Sequence, residues 1–328
     1  MSDFFRIGVE FARATDLAAR NVIVWSGKAR KNEADQVAVE SMRQCIAELP
    51  YASHVLIGEG EKDQAPMLYA GERFGSPGQT ELDLVVDPLE CTTNFAHGLH
   101  DSLSVLLAVP PGTIPAIPGT YMTQMLLPDS PAASFFRQQE VGPLLDTNIK
   151  EILRTVAREN GVDVGSLNVV IQDRPRHKEI IEGARSAGAG VALIDSGSVS
   201  AAAEILMRKG GRWSLLFGTY GAPEGLILAF MAKMTGGFFA GRIAPHDPLF
   251  EHQTRILGLE DRALSAEEWV KGDGCLIMTC IHSSTYLRGV EVRAGHTFTE
   301  SLLWTRSGVH RLSHKNGELC ESTKLMSL

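Results

Sequence analysis

The chain has 328 residues, more than one hydrophobic core usually supports, so one large or two medium domains are expected, and two are read here. With 44% hydrophobic and 21% charged residues it is globular in composition, and a net charge of −8 argues against a nucleic-acid partner, whose phosphates nothing would neutralise in bulk. The five cysteines (Cys45, Cys91, Cys275, Cys280, Cys320) lack the paired spacing of a zinc site or a disulfide framework and read as reduced thiols of a cytoplasmic protein.

From Arg6 to Val24 apolar residues recur at helical spacing; Asp3, Arg6, Glu10 and Arg13 interrupt any signal-peptide core, and no apolar run reaches the ~18 residues of a membrane span. A second helix is expected from about Glu33 to Leu49, capped by Asn32 with Asp35 in its first turn. Val55 to Ile57 and Leu82 to Val86 read as strands that stop at Gly58 and at Asp87-Pro88. Leu103 to Val109 is another strand, and the prolines from Pro110 to Pro118 bar a helix from the connection to Tyr121. After an amphipathic helix over Thr147 to Asn160, strands at Leu167–Ile171, Val191–Ile194 and Leu215–Phe217 alternate with helices at Lys178–Ala187 and Ser200–Lys209. The alternation predicts an α/β protein in two α/β halves, 1–165 and 166–328. The polar Ser313–Leu328 tail is expected to be poorly ordered.

Three acidic segments carry the chemistry: Asp35; Gly58-Glu59-Gly60-Glu61-Lys62-Asp63; and Asp87-Pro88-Leu89-Glu90-Cys91-Thr92-Thr93-Asn94. Asp35, Glu59, Asp87 and Glu90 supply hard oxygens enough for two divalent cations, and oxygen-only ligation favours Mg²⁺ or Mn²⁺ over Zn²⁺. Such a pair suits phosphate monoester hydrolysis, with the Thr92 hydroxyl placed to orient the attacking water. Thr93 and Asn94 are expected to open a helix. Taken singly, Asp35 reads as a first-turn helix acid, the Gly-Glu-Gly-Glu run as a solvated loop, and Asp87-Pro88 as turn chemistry. Their joint occurrence at element boundaries favours the metal site.

The blocks Lys31-Asn32-Glu33-Ala34-Asp35, Ile57 to Tyr69, Val86 to Thr92 and Tyr220-Gly221-Ala222-Pro223-Glu224-Gly225 resemble the bacterial class II fructose-1,6-bisphosphatases, nearly end to end. Asp-Pro-x-Glu is shared by the wider lithium-sensitive phosphatase superfamily, and Thr92 to Gly98 is similar to the corresponding stretch of inositol monophosphatases. The resemblance implies a layered αβαβα sandwich, a small phosphorylated sugar as substrate, two or more Mg²⁺ or Mn²⁺ ions, and a homo-oligomer. It assigns Asp35 and Glu59 to one cation and Asp87, Glu90 and Glu224 to another, with Thr92 at the water and Glu61 and Asp63 in proton transfer or just outside the ligands. Glu90, Cys91, Thr92, Tyr121, Arg174-Pro175-Arg176, Ser196-Gly197-Ser198 and Gly221 fall to the substrate, the arginines gripping the phosphate that stays. On spacing alone, Arg174 to Lys178 reads equally as a solvated basic run.

Four departures stand out. Ser196-Gly197-Ser198 replaces the family's usual Asp-Gly-Asp, exchanging acceptor-only carboxylates for hydroxyls that also donate. Cys91 stands at a customary glycine, Gln36 where glycine is common, and Thr279 to Thr285 does not reproduce the family's Thr-Gly-x-Thr segment, which suggests an altered pocket wall or subunit contact. The leading expectation is removal of the 1-phosphate of fructose 1,6-bisphosphate or a close phosphosugar. A phosphatase of specialised metabolism acting on an unusual sugar or nucleoside phosphate is the main rival. A non-catalytic phosphosugar-binding regulator is the third, opposed by clustered acids whose mutual repulsion only cations relieve.

Overall fold

The computed structural model describes residues 4–58, 67–207 and 211–326, and the chain divides into two compact units, Met1–Ala116 with Gly272–Leu328, and Ile117–Lys271. The first unit begins with helices α1 (Phe4–Val22) and α2 (Lys31–Glu48), strands β1 (Tyr51–Ile57), β2 (Arg73–Phe74) and β3 (Thr80–Glu90), the short helix α3 (Thr92–Ala96) and β4 (Leu103–Val109). The second unit contains β5 (Tyr121–Leu127), α4 (Pro131–Phe136), α5 (Val141–Asp146), α6 (Ile149–Asn160), β6 (Asn168–Gln172), α7 (Lys178–Ser186), β7 (Gly190–Ile194) and α8 (Ser198–Met207). It continues with β8 (Leu215–Gly221), α9 (Ala222–Thr235), β9 (Phe238–Ala244), α10 (Pro248–Ile256), β10 (Ala263–Ser265) and α11 (Ala266–Trp269). The chain returns to the first unit as β11 (Cys275–Cys280), β12 (Glu291–Arg293), β13 (His296–Thr305), β14 (Gly308–Lys315) and β15 (Glu318–Met326). The α/β class read from the sequence is thus observed. The 165/166 position lies inside the second unit, between α6 and β6.

Among the described residues the first unit builds a nine-stranded sheet ordered β15-β14-β13-β11-β4-β3-β1-β2, with β12 beside β13. Central β4 is buried along its whole length, matching a run that is apolar except for Ser104, while β1 alternates buried with half-buried residues as a strand with one covered face should. Ile7, Phe11, Ala14, Ala18 and Val22, spaced three or four apart, make the buried stripe with which α1 packs on β11 and β13. In the second unit a six-stranded sheet runs β10-β9-β5-β8-β6-β7 among the described residues. Met125 and Leu127 of β5 join the core formed with α4 and α6, and Met122, of opposite parity, meets Gly225 of α9, so helices cover both faces.

Three sequence-based expectations give way. Helix α2 starts at Lys31 with no side-chain cap; Arg30 instead bonds Glu33 (2.8 and 2.6 Å) and stacks over Trp25 (5.0 Å), which carries the helix past Asn32. Strand β3 does not stop at Asp87-Pro88 but continues to Glu90 through a bulge. The tail is not loose: β14 and β15 pair as a hairpin at the edge of the large sheet.

Candidate functional site

Two of the acidic candidates of the first unit, Asp87 and Glu90, flank an irregularity in its sheet, while Asp35 stands on helix α2. Strand β3 lies between parallel β1 and antiparallel β4. On β4 it pairs Asp87 with Val105 and Glu90 with Leu103, so three steps on one strand oppose two on the other. Pro88, which has no N–H to give the ladder, occupies the extra space, and the bulge re-aims the carboxylates on either side of it. Glu90 is only 7% exposed and accepts the Cys91 N–H at 3.0 Å. Asp87 is half-buried.

Cys91 answers one departure noted in the sequence. Its φ of 67° and ψ of 42° are left-handed, the region that favours glycine, so the thiol-bearing residue holds a glycine conformation while buried. That turn starts α3, one residue ahead of expectation, at Thr92. The Thr92 hydroxyl donates to Leu89 O at 3.0 Å, which leaves its oxygen free to accept. Helix α2, which carries half-buried Asp35 near its start, packs against α3, and Lys31 Nζ donates to Thr93 Oγ1 (3.1 Å). Gln36 is exposed on α2 and donates to Glu40, an ordinary helix-surface pair.

The divergent 279–285 segment supports this end of the unit. Thr279 bonds Thr15 and Ser301 inside the core, each at 2.7 Å. His282 stacks on buried Phe95 of α3 (5.3 Å, 16°) and meets Ser26 Oγ at 2.7 Å, and burial holds its imidazole below the usual pKa, hence neutral. Gly27 N–H donates to Phe95 O, fastening the same loop to the same helix.

Glu59, Glu61 and Asp63 lie outside the described residues. The chain on either side of them is tightly fixed: a Cβ on Gly58 would stand 1.9 Å from Leu68 O, and buried Glu72 accepts from Leu68 N–H (2.6 Å) and Arg43 (2.7 Å). Among the described residues no three His, Cys, Asp or Glu side chains group closely enough to hold an ion. The donors described fit a hard divalent cation in kind: they are carboxylates, one buried and one half-buried on a single bulge, with no thiol or imidazole among them.

In the second unit the expected substrate residues collect at one end of the sheet. Tyr121 opens β5, paired with Gly221 at the end of β8 and Ala244 at the end of β9. Arg176 lies over the Tyr121 ring (4.6 Å from its centroid), donating through Nε to Thr219 O (3.0 Å) and through Nη2 to Gln172 Oε1 (2.8 Å). Arg174 directs two donors to the carbonyls of Asp173 (2.8 Å) and Asp195 (2.6 Å), so it braces the loop before Ser196. Pro175 starts the short 3₁₀ turn between them.

His177, 1% exposed, fixes that turn to β8. Its Nδ1 donates to Gln172 O and its Nε2 accepts from Thr219 N–H, both at 2.8 Å, which assigns a neutral tautomer; burial lowers its pKa accordingly. Gly218, at φ 146°, leaves the space the ring needs. Gly197 turns at φ 86° into α8, whose first residue, Ser198, is buried, with Ser196 half-buried before it. Gly221 is the N-cap of α9, and the first-turn carboxylate of Glu224 folds over it so closely that a Cβ would stand 2.0 Å from Oε2. Sequence reasoning passed over His246, which packs on Tyr121 at 5.0 Å; no motif announces it, because β9 brings it there from 125 residues away.

No helix among the described residues is long and apolar enough to cross a membrane. The sequence model of the family described as bacterial fructose-1,6-bisphosphatase, glpX-encoded, matches residues 6–316. The D-fructose 1,6-bisphosphatase class 2/sedoheptulose 1,7-bisphosphatase of Trichodesmium erythraeum (strain IMS101) is 34% identical over 325 residues, covering 90% of this chain and 91% of that protein. The protein of the same name from Synechocystis sp. (strain ATCC 27184 / PCC 6803 / Kazusa) is 35% identical over 326 residues, with the same coverage.

Proposed function

Because the chain belongs to the glpX-encoded bacterial family of class II fructose-1,6-bisphosphatases, we propose that it is a Mg²⁺- or Mn²⁺-dependent phosphatase. It removes the 1-phosphate of fructose 1,6-bisphosphate or the equivalent phosphate of a closely related phosphosugar. The observation that carries the reading is the β3 bulge, which presents Asp87 and buried Glu90 one residue before a left-handed turn into Thr92.

Asp35, Glu59, Asp87, Glu90 and Glu224 are the proposed carboxylates for the cations, which when bound offset charge on the phosphoryl oxygens and acidify water. Thr92, its proton already given to Leu89 O, accepts a hydrogen bond from the attacking water and so orients its lone pair. Glu61 and Asp63 are proposed for proton transfer. Tyr121 and Arg176 bind the sugar phosphate that is kept, with Arg174 and Pro175 shaping the loop and Ser196, Gly197, Ser198 and Gly221 contacting the sugar. Cys91 offers backbone beside Thr92.

The test is phosphate release from a panel of sugar mono- and bisphosphates with Mg²⁺, with Mn²⁺ and with a chelator. Metal-dependent turnover of a ketose bisphosphate is expected; no turnover of any phosphosugar overturns the proposal. Hydroxyls at Ser196 and Ser198 favour a second reading, in which another phosphosugar surpasses fructose 1,6-bisphosphate in the same panel. A homo-oligomer is also proposed, and sedimentation equilibrium measures it.

A further inference from the structure

His246 belongs to none of the roles assigned above, yet its surroundings are those of a recognition residue. It follows β9 by two positions and packs against the Tyr121 ring at 5.0 Å and 56°, on the ring that Arg176 covers at 4.6 Å. A second ring, Phe250 of α10, backs it at 4.9 Å. Its Nδ1 meets Thr120 Oγ1 at 3.0 Å, and its Nε2 lies 3.6 Å from Asp247 Oδ2. Asp247 is itself fixed, since its other oxygen caps α10 by accepting from Leu249 and Phe250 N–H (2.9 and 3.1 Å). The imidazole is therefore held from three sides although its side chain is 46% exposed.

The restraint acts on Tyr121. Its ring is held by Arg176 and His246, while its hydroxyl takes no partner among the described residues. A phenol whose ring is fixed and whose polar tip is unused is prepared to bond something that arrives. Arg176 depends on the same ring for its platform, its Nε and Nη2 being committed to Thr219 O and Gln172. Removing His246 would free Tyr121 to change rotamer and take the platform from the guanidinium.

We infer that His246 is a positioning residue for substrate selection: by holding Tyr121 beneath Arg176 it sets the preference for a sugar bearing a second phosphate over a simple monophosphate. This rests on the phosphatase reading above. It adds a residue outside every expected motif and predicts which kinetic constant that residue controls.

Wild type, His246→Ala and His246→Phe are compared on fructose 1,6-bisphosphate and on p-nitrophenyl phosphate, with melting temperatures recorded for each. An aromatic contact of this kind is worth a fewfold in binding, so His246→Ala should raise KM for the bisphosphate about five- to tenfold, leave kcat within about twofold, and leave the monophosphate constants unchanged. His246→Phe, which keeps a ring against Tyr121 and Phe250, should return KM to within about threefold of wild type. Unchanged KM in His246→Ala, equal loss on both substrates, or no rescue by His246→Phe overturns the inference. If wild type turns over no phosphosugar, the phosphatase reading fails separately. Calorimetric binding of the bisphosphate to wild type and His246→Ala then decides, and equal affinities overturn the role of His246.

Discussion

The two units hold their candidate residues by opposite means. In the first, the backbone itself is bent: a bulge between Asp87 and Glu90, positive φ at Cys91 and Leu68, and Gly58 pressed against Leu68 O. In the second, the strand ladders carry no register shift among the described residues, and side chains reach back to main-chain atoms, as His177 does to Gln172 and Thr219, Arg174 to Asp195 and Arg176 to Thr219. The contrast follows from charge. Neighbouring carboxylates repel, so their spacing has to be enforced by a rigid chain, whereas guanidinium and imidazole donors find carbonyl acceptors and settle among them.

The largest effects should therefore come from the bent backbone and the acids on it. Glu90→Gln keeps shape and removes charge, so kcat should fall by about a thousandfold or more, and Mn²⁺ should no longer raise the melting temperature. Full turnover by that variant would remove Glu90 from the site. Next comes Gly58→Ala, whose Cβ would overlap Leu68 O. A loss of about 2–3 kcal/mol in urea unfolding is expected, together with weakened Mn²⁺ activation. In the second unit Arg176→Lys loses the planar fork and its stacking on Tyr121 but leaves the acids intact, so KM for a bisphosphate should rise about tenfold while kcat stays within a fewfold. A kcat collapse there would erase the proposed separation of chemistry from recognition.

Regular elements with a clear periodicity were legible in the sequence. Leu103–Val109 is a strand as expected, residue for residue, because a short, mainly apolar run that stops at Pro110-Pro111 is too short for a buried helix. The acidic and basic candidates were visible as residue types in motifs. The bulge was not, since Pro88 marks a strand end far more often than a strand interior. Strand β15 escaped notice because most of its residues are exposed, which leaves no alternation to read; only its pairing with β14 defines it. His246 and His282 escaped for a related reason, as each acts on a ring more than a hundred residues distant, which tertiary pairing alone brings near.

Acid should test both units through one mechanism. His177, buried in the second unit, and His282, half-buried in the first, are neutral, with pKa held below the ordinary 6.5 by their loss of water. Unfolded chains take up protons there that the folded protein refuses, so this stability is complete above about pH 6.5 and is lost progressively as pH falls below it. Melting temperature should decline over that range, and His282→Phe, which keeps a ring on Phe95, should flatten the decline. A slope unaltered in that variant would exclude His282 as a source.

The smallest effect concerns Cys91, where three terms nearly cancel. Cys91→Gly relieves a left-handed conformation worth about 1–2 kcal/mol, gives back about 0.5–1 kcal/mol in unfolded-chain entropy, and loses the burial of one small side chain, about 1 kcal/mol. Its melting temperature should stay within a few degrees of wild type. Cys91→Val, β-branched at the same positive φ, on a backbone whose carbonyl accepts from Ser102 and whose N–H donates to Glu90, should lose about 2 kcal/mol or more. If valine were tolerated as well as glycine, the turn would not be under backbone control, and the contrast drawn between the two units would fail at its most local point.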